Sequence, residues 1–159
     1  MHPTTGTSFL TRSTSRVEPV VIALGSNLGP REVLLRRALD SLAAVVRIVR
    51  VSSFHETAPV DAPPPPFLNA VAAGHTWLAP HQLLDAMLAI EESLGRVRRE
   101  KHGPRTIDLD LILYGAHVMR TRDLTLPHPR YMTREFVMAP LRELRLPWCD
   151  PVSGRRLDA

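Results

Sequence analysis

The stretch HGPRTIDLDLILYG, residues 102–115, reads as a strand in which two carboxylates, Asp108 and Asp110, interrupt an apolar run. Aspartate is uncommon in strands, and a buried carboxylate without a partner is costly. Because successive strand side chains alternate between faces, both carboxylates are expected on one face. Oxygen ligands on a strand suit Mg²⁺, which takes one or two carboxylates together with phosphates. The alternative is a pair of exposed strand acids bridged by arginine.

The pattern of apolar residues on either side of this strand predicts an α+β fold. Strands are predicted over 17–26, 47–57, 67–77 and 106–114, and helices over 30–45, 80–95 and 134–144. The order β-α-β-β-α-β is that of a ferredoxin-like sheet with helices on one face, followed by a short C-terminal helical segment. Leu109, Leu111 and Leu113 are expected to face the helices. The prolines of 60–67 exclude regular structure there and predict a stiff loop.

Length and composition indicate one domain. The chain has 159 residues, of which 44% are hydrophobic and 23% charged, and no apolar run is long enough to span a bilayer. Residues 1–16 are rich in Ser, Thr and Arg and are expected to form a flexible extension, although a transit peptide has a similar composition. Residues 17–159 are expected to form a single domain. The one cysteine, Cys149, fits a reducing compartment, and we expect a cytoplasmic protein.

The charge of the chain favours partners that carry phosphate. The formal net charge is +4, and the sequence pI is about 10.2. A basic segment precedes the aspartates, with Arg96, Arg98, Arg99, Lys101 and Arg105. Arginine matches phosphate in two hydrogen bonds, so this segment beside two carboxylates suggests a triphosphate clamp. A second basic group, His128, Arg130 and Arg134, lies in LPHPRYMTREFV, residues 126–137.

Six segments together resemble one known family. They are ALGSNLG, SSFHETAPV, FLNAV, IEESLGRVR, GPRTIDLDLILYG and LPHPRYMTREFVMAPL, in that order over residues 20–155. The chain is similar in these segments to the 6-hydroxymethyl-7,8-dihydropterin pyrophosphokinases of folate biosynthesis. The combination of GPRTIDLD with LPHPR is highly specific. The resemblance implies transfer of the β,γ-diphosphate of ATP to the pterin hydroxymethyl oxygen, with release of AMP.

The resemblance also implies a set of site residues. Two Mg²⁺ ions would be held by Asp108 and Asp110, with ATP as co-substrate. The pterin pocket would comprise Gly25, Thr57, Ala58, Val60, Phe67, Asn69 and Phe136. The ATP site would comprise Glu91, Arg98, Arg105, Thr125, His128 and Arg134. The catalytic residues among these would be Arg98, Arg105, His128 and Arg134.

Several positions depart from the family pattern, among them His102 and Leu88, and two rival functions remain open. Members commonly have Trp where His102 stands, and a family member has Gln where Leu88 stands. A basic ferredoxin-like sheet also suits an RNA-binding module, although such modules carry aromatic residues where this strand carries acids. A metal-dependent hydrolase or another DxD transferase is the second rival. We expect ATP and the pterin as small-molecule partners, a monomer, and neither nucleic acid nor membrane as partner.

Overall fold

A computed structural model of the protein describes residues 16–57, 66–95 and 106–158. The strands are β1 (Glu18–Ser26), β2 (Arg47–Val51), β3 (His55–Thr57), β4 (Phe67–Thr76), β5 (Asp108–Tyr114), β6 (Met119–Arg120) and β7 (Thr125–Leu126). The helices are α1 (Arg31–Leu42), α2 (Pro80–Ser93) and α3 (Glu135–Glu143), with a 3-10 turn over Tyr131–Thr133 before α3. Most of the expected N-terminal extension, most of the proline loop and the basic segment 96–105 lie outside the described residues.

The main sheet is antiparallel, with strand order β2-β4-β1-β5, and β3 also pairs with β4. This order, with one helix after β1 and another after β4, is the predicted ferredoxin-like arrangement. The central strand β1 is hydrogen-bonded on both edges and buried on both faces. Among the described residues, no helix combines the length and the apolar character that a bilayer crossing requires.

Helices cover both faces of the sheet. Val20, Ile22 and Leu24 of β1 pack in a core with residues of α1 and α2, so this side is called the α1/α2 face. Val21 and Ala23 pack in a second core with α3, so that side is called the α3 face. Alternation along β1 therefore assigns successive residues to different cores. The short C-terminal helix expected from the sequence is thus the cover of the second face.

An irregularity in β5 overturns one expectation. The register between β1 and β5 shifts at Val21 and Ile22, which pair with Leu113 and Leu111 and leave Ile112 as the extra residue. Such a bulge turns the following side chains to the other face. Leu109 and Leu111 face α1 and α2 as expected, but Leu113 packs in the α3 core. The prediction for Leu113 was wrong because strict alternation stops at the bulge.

The strand predicted over 47–57 is divided into β2 and β3. At the break, the Ser52 N–H donates to the Val71 carbonyl at 2.9 Å, and the Val71 N–H donates to Ser52 Oγ at 3.0 Å. A side-chain hydroxyl thus takes the place of a backbone carbonyl in the ladder. From Ser52 to His55 the chain advances by three residues, whereas the facing strand β4 advances by two, from Val71 to Asn69. The hairpin of β6 and β7 was not anticipated.

Glu143 fastens the last turn of α3 to the segment before β3. Its carboxylate accepts hydrogen bonds from the Ser53 N–H at 2.5 Å and the Ser53 hydroxyl at 2.7 Å, and it lies 2.9 Å from His55 Nε2. An acid at a helix C-terminus is unfavourable to the helix dipole, so these partners offset a local cost. The Ser53 N–H, the Ser53 hydroxyl and His55, in that order, lower the pKa of Glu143 to about 2.

We predict that Glu143→Gln destabilises the protein at neutral pH and that this destabilisation fades in acid. A carboxylate whose pKa falls on folding stabilises the fold above its ordinary pKa near 4.5, and this stabilisation is lost as pH falls toward about 2. Because the side chain is 39% exposed, solvent screening limits the expected effect to about 1 kcal/mol. Urea unfolding between pH 5 and pH 2 measures the difference.

The matched control is Glu135→Gln, since Glu135 is an exposed acid on the same helix that pairs with Arg142. It should change the free energy of unfolding by less than about 0.5 kcal/mol. An equal loss in both variants, or a Glu143→Gln effect that persists unchanged at pH 2, would contradict the assignment.

Candidate active site

Three neighbouring strands place Asn69, Gly25 and Asp108 in one row across the sheet. Gly25 of β1 pairs with Asn69 of β4 on one edge and with Asp108 of β5 on the other. Gly25 lies two residues from Ala23, which packs in the α3 core, so the row faces the α3 side. With strands about 4.8 Å apart, the two polar residues stand roughly 10 Å from each other across the glycine.

Gly25 keeps the middle of this row open. A Cβ at this position would lie 3.0 Å from Asn69 Oδ1 and 3.4 Å from Cδ1 of Phe67. The first distance is tighter than an ordinary contact between such atoms. The missing side chain therefore leaves room beside an amide oxygen and an aromatic ring, as a flat polar ligand requires.

The amide of Asn69 is held in place by Thr57. Asn69 is 5% exposed, and its Nδ2 donates to Thr57 Oγ1 at 2.7 Å. Thr57 in turn pairs with Phe67 in the ladder between β3 and β4. The structure thus brings together four of the residues expected at a pterin pocket, Gly25, Thr57, Phe67 and Asn69. An amide with one group fixed can present its other group to a ligand.

Phe136 and Arg134 stand together at the start of α3. Arg134 is the residue before the helix, and its guanidinium carbon lies 5.7 Å from the centroid of the half-buried Phe136 ring. This is within the range of a cation–π contact. A residue expected at the pterin and a residue expected at the phosphates therefore touch one another.

Asp108 and Asp110 share the α3 face at the start of β5. Both side chains are half-buried, and they alternate with the buried Leu109 and Leu111. They come before the bulge, so the shared face expected from alternation is retained. Within residues 16–57, 66–95 and 106–158, no cluster of three or more His, Cys, Asp or Glu could hold a metal ion. Two carboxylates nonetheless fit Mg²⁺, which keeps waters and takes phosphate oxygens as its other ligands.

Glu91 supports the carboxylate strand from its outer edge. The side chain is 1% exposed, and its Oε2 accepts a hydrogen bond from the Leu109 N–H at 2.7 Å. Leu109 lies between the two aspartates, so α2 fixes the backbone from which they project. The family resemblance places Glu91 in the ATP site. In the structure its carboxylate also contacts the backbone of β5.

His128 connects the basic loop after β7 to β5, the strand that carries the two carboxylates. The backbone N–H of His128 donates to the Ile112 carbonyl at 2.8 Å. The ring Nδ1 accepts a hydrogen bond from the backbone N–H of Arg130 at 3.3 Å, which leaves the ring proton on Nε2. Burial lowers the pKa of His128, the charges of Arg134 and Arg130 lower it further, and the Asp108 carboxylate opposes them. A neutral ring with an Nε2 proton can donate a hydrogen bond to a phosphate oxygen.

The remaining predicted residues are divided between described and undescribed parts of the chain. Thr125 is half-buried on β7, which packs beside β5. Ala58, Val60, Arg98 and Arg105 lie outside the described residues, as does His102. The structure therefore describes one side of the expected triphosphate clamp.

Residues that the sequence did not single out hold β3 in place. Ser53, His55 and Glu143 connect β3 to α3, and Arg31 of α1 bonds Glu56 and the Pro66 carbonyl. One signal was present for Arg31: a basic residue at a helix N-terminus is unfavourable to the helix dipole and suggests a specific partner. For Ser53 and Glu143, 90 residues apart, the sequence offered no signal.

Comparisons with known proteins give a consistent result. Residues 21–146 match the family model for 7,8-dihydro-6-hydroxymethylpterin-pyrophosphokinase. The chain is 41% identical over 139 residues to the 2-amino-4-hydroxy-6-hydroxymethyldihydropteridine pyrophosphokinase of Synechocystis sp., covering 86% of this chain and 71% of the relative. It is 45% identical over 126 residues to the Bacillus subtilis protein of the same name, covering 77% and 75%.

A solved structure supports the fold. Wild-type Plasmodium falciparum HPPK-DHPS superposes with a TM-score of 0.71 at 12% identity, over 90% of this chain and 43% of that one. This similarity concerns the fold alone, since the identity is low. The chain also spans 25% of a mitochondrial folate synthesis bifunctional protein of Pisum sativum, at 45% identity over 129 residues. It matches only a part of these longer proteins.

We predict that Gly25→Ala fills the gap in the row and weakens ligand binding without unfolding the protein. The added methyl group would press on Asn69 Oδ1 and on the Phe67 ring. Displacing a well-placed hydrogen-bonding group costs about 1–3 kcal/mol, or roughly 10- to 100-fold in affinity for 6-hydroxymethyl-7,8-dihydropterin. Fluorescence or calorimetric titration measures the affinity, and thermal unfolding checks the fold.

Ser26→Ala is the matched control, because Ser26 is the next residue of β1 and points to the opposite face. Its hydroxyl is buried and has no hydrogen-bond partner in the described part of the chain. This variant should bind the pterin with unchanged affinity. Wild-type affinity in Gly25→Ala would remove Gly25 from the pocket.

Proposed function

Because the chain belongs to the 7,8-dihydro-6-hydroxymethylpterin-pyrophosphokinase family, we propose that the row of Asn69, Gly25 and Asp108 marks its active site. The chain is a pyrophosphokinase of folate biosynthesis that transfers the β,γ-diphosphate of ATP to the hydroxymethyl group of 6-hydroxymethyl-7,8-dihydropterin, with release of AMP. The row supports the site assignment, since an amide suited to a heterocycle and a carboxylate suited to a phosphate-bound cation face the same side of the sheet.

The pterin would bind on the Asn69 side of the row. Asn69 can exchange hydrogen bonds with the amide edge of the ring, since its side chain carries both a donor and an acceptor. Phe67 lies beside the gap at Gly25, and Phe136 lies in the first turn of α3, the helix that covers this face. Two aromatic rings would then hold the flat ligand by stacking. Thr57 fixes the Asn69 amide, and Ala58 and Val60 would complete the pocket.

The triphosphate of ATP would bind on the Asp108 side. Asp108 and Asp110 would hold Mg²⁺, two ions by our proposal, which when bound would neutralise phosphate charge and polarise the phosphorus that is attacked. His128 would donate from Nε2 to a phosphate oxygen, and Arg134, Arg98 and Arg105 would pair with the transferring diphosphate.

Two further residues would contact the nucleotide. Thr125 can offer its hydroxyl from β7, which lies beside β5. Glu91 would complete the ATP site, although its buried carboxylate already holds the Leu109 N–H. We propose that Glu91 serves ATP mainly by fixing the strand that carries Asp108 and Asp110.

Catalysis would rest on positioning and charge neutralisation. The pterin hydroxyl would attack the β-phosphorus of ATP in line, the bond to the α-phosphate oxygen would break, and the hydroxyl proton would leave to solvent. The two half-sites stand about 10 Å apart, which leaves room for a hydroxymethyl group and a diphosphate between them. No covalent enzyme intermediate is needed for one displacement.

We also propose how the chain works in the cell. Residues 17–159 would act as a single domain with two small-molecule partners, ATP and the pterin, as a monomer in the cytoplasm. The acids of β5 would repel nucleic acid at the sheet surface, where an RNA-binding sheet needs aromatic side chains. Neither nucleic acid nor a membrane is proposed as a partner.

Product analysis tests the reaction directly. With ATP, Mg²⁺ and 6-hydroxymethyl-7,8-dihydropterin, we expect AMP and the pterin diphosphate in equal amounts, and no AMP when the pterin is omitted. Chromatography that resolves AMP from ADP makes the measurement. ADP as product would mean that a single phosphoryl group is transferred, and AMP without pterin would indicate a hydrolase.

We predict that Asp108→Asn and Asp110→Asn each lower kcat at least about 10²- to 10³-fold while the fold is retained, because the charge that holds the metal is lost. Initial rates over a range of Mg²⁺ concentrations and circular dichroism provide the measurements. Asp85→Asn, an exposed acid on α2, is the control and should keep full activity. Near-normal turnover in either active-site variant would refute the metal assignment.

A further inference from the structure

Arg31 ties together the two strands that form the outer wall of the proposed pterin pocket. It is the first residue of α1, and its side chain is only 26% exposed. One nitrogen, Nη2, donates to Glu56 Oε2 at 2.7 Å, and the other, Nη1, donates to the Pro66 carbonyl at 2.7 Å. A single guanidinium therefore contacts both sides of the β3–β4 pair.

These two contacts adjoin pocket residues directly. Glu56 precedes Thr57, Pro66 precedes Phe67, and Thr57 and Phe67 are partners in the ladder between β3 and β4. Within the described residues, that ladder holds only three pairs, which begin at His55 and Asn69. Thr57 and Phe67 form the last of them. A short ladder frays at its end unless side chains hold it.

The two faces of β3 are held by different helices. His55 and Thr57 point to the α3 face, where His55 meets Glu143 and Thr57 meets Asn69. Glu56 points to the opposite face and meets Arg31 of α1. Among the described residues, Arg31 thus joins Glu56 to Pro66 from that side. Without Arg31, the Thr57–Phe67 pair would be held from the α3 face alone.

Arginine is required here for its shape as well as its charge. Its planar fork supplies two parallel donors in fixed directions, whereas lysine is a point charge on a flexible stem. A positive charge at the N-terminus of α1 also opposes the helix dipole, so the position is favourable only because of its partners. Arg37, six residues along the same helix, is exposed and has no ion pair with another described residue.

We propose that Arg31 is a positioning residue for the pterin. Its guanidinium holds Glu56 and Pro66 at a fixed separation, and thereby holds the Thr57 hydroxyl against Asn69 and the Phe67 ring beside Gly25. This inference rests on the proposed pterin site and adds to it a residue that does not touch the ligand. Arg31 acts on pterin affinity and leaves ATP binding and the chemical step unchanged.

The test compares Arg31→Ala, Arg31→Lys and Glu56→Ala with Arg37→Ala as the matched control. For Arg31→Ala we expect a rise of about tenfold in KM and Kd for the pterin, since two hydrogen bonds donated by the charged guanidinium are lost. The KM for ATP and kcat should stay within about twofold. Arg31→Lys should recover part of the affinity, and Arg37→Ala should behave as wild type.

A double variant separates the effect of the Arg31 contacts with Glu56 and Pro66 from a general loss of stability. If Arg31 acts through Glu56, Arg31→Ala with Glu56→Ala should be no worse for pterin Kd than Arg31→Ala alone. Additive losses would overturn the proposal, as would a pterin Kd for Arg31→Ala equal to that of Arg37→Ala. If Arg31→Ala does not fold, Arg31→Lys and Glu56→Ala carry the same comparison.

Equilibrium binding keeps this test apart from the reaction itself. Pterin Kd is measured by titration in the presence of a non-hydrolysable ATP analogue and Mg²⁺, without turnover. If wild type binds the pterin but forms no AMP, the proposed chemistry fails and the Kd comparison still decides the role of Arg31. If wild type binds no pterin, both proposals are overturned.

Discussion

The site depends on the register of β1 against its two neighbours. Pairing on both edges sets Gly25 between Asn69 and Asp108, and the absence of a side chain on Gly25 leaves space between these two polar side chains. A slip of one residue on either edge would turn that neighbour's polar group to the α1/α2 face, where the core is apolar. The same pairing that builds the core therefore aligns the site, and neither can be altered alone.

The architecture could be predicted from local patterns, since apolar spacing and the Gly and Pro positions are readable in short windows. The shared face of Asp108 and Asp110 followed from strand alternation in the same way. The break at Ser52 and the position of Leu113 could not be predicted. Each depends on a hydrogen bond or a bulge set by a distant strand. Residue roles came from resemblance to a family, and spacing alone left a solvated acid pair as a full alternative.

Charged side chains from the helices hold the strands that carry the site. Glu143, Arg31 and Glu91 each bond a backbone group close to a residue expected in the site: the Ser53 N–H, the Pro66 carbonyl and the Leu109 N–H. Each comes from a different helix. Their charges are directed at strand edges and strand ends, where the sheet has no ladder of its own. The helices of this fold thus hold the edges of the strands as well as covering their faces.

The strand order has a consequence for synthesis on the ribosome. β1 is made first, yet its partners β4 and β5 begin at Phe67 and Asp108, so both of its edges wait for later parts of the chain. A nascent chain that ends before β5 leaves one edge of an apolar strand open, which is the condition that favours pairing with other chains. The row at Gly25 is complete only when β5 has emerged. Binding of substrate can therefore stabilise only finished molecules.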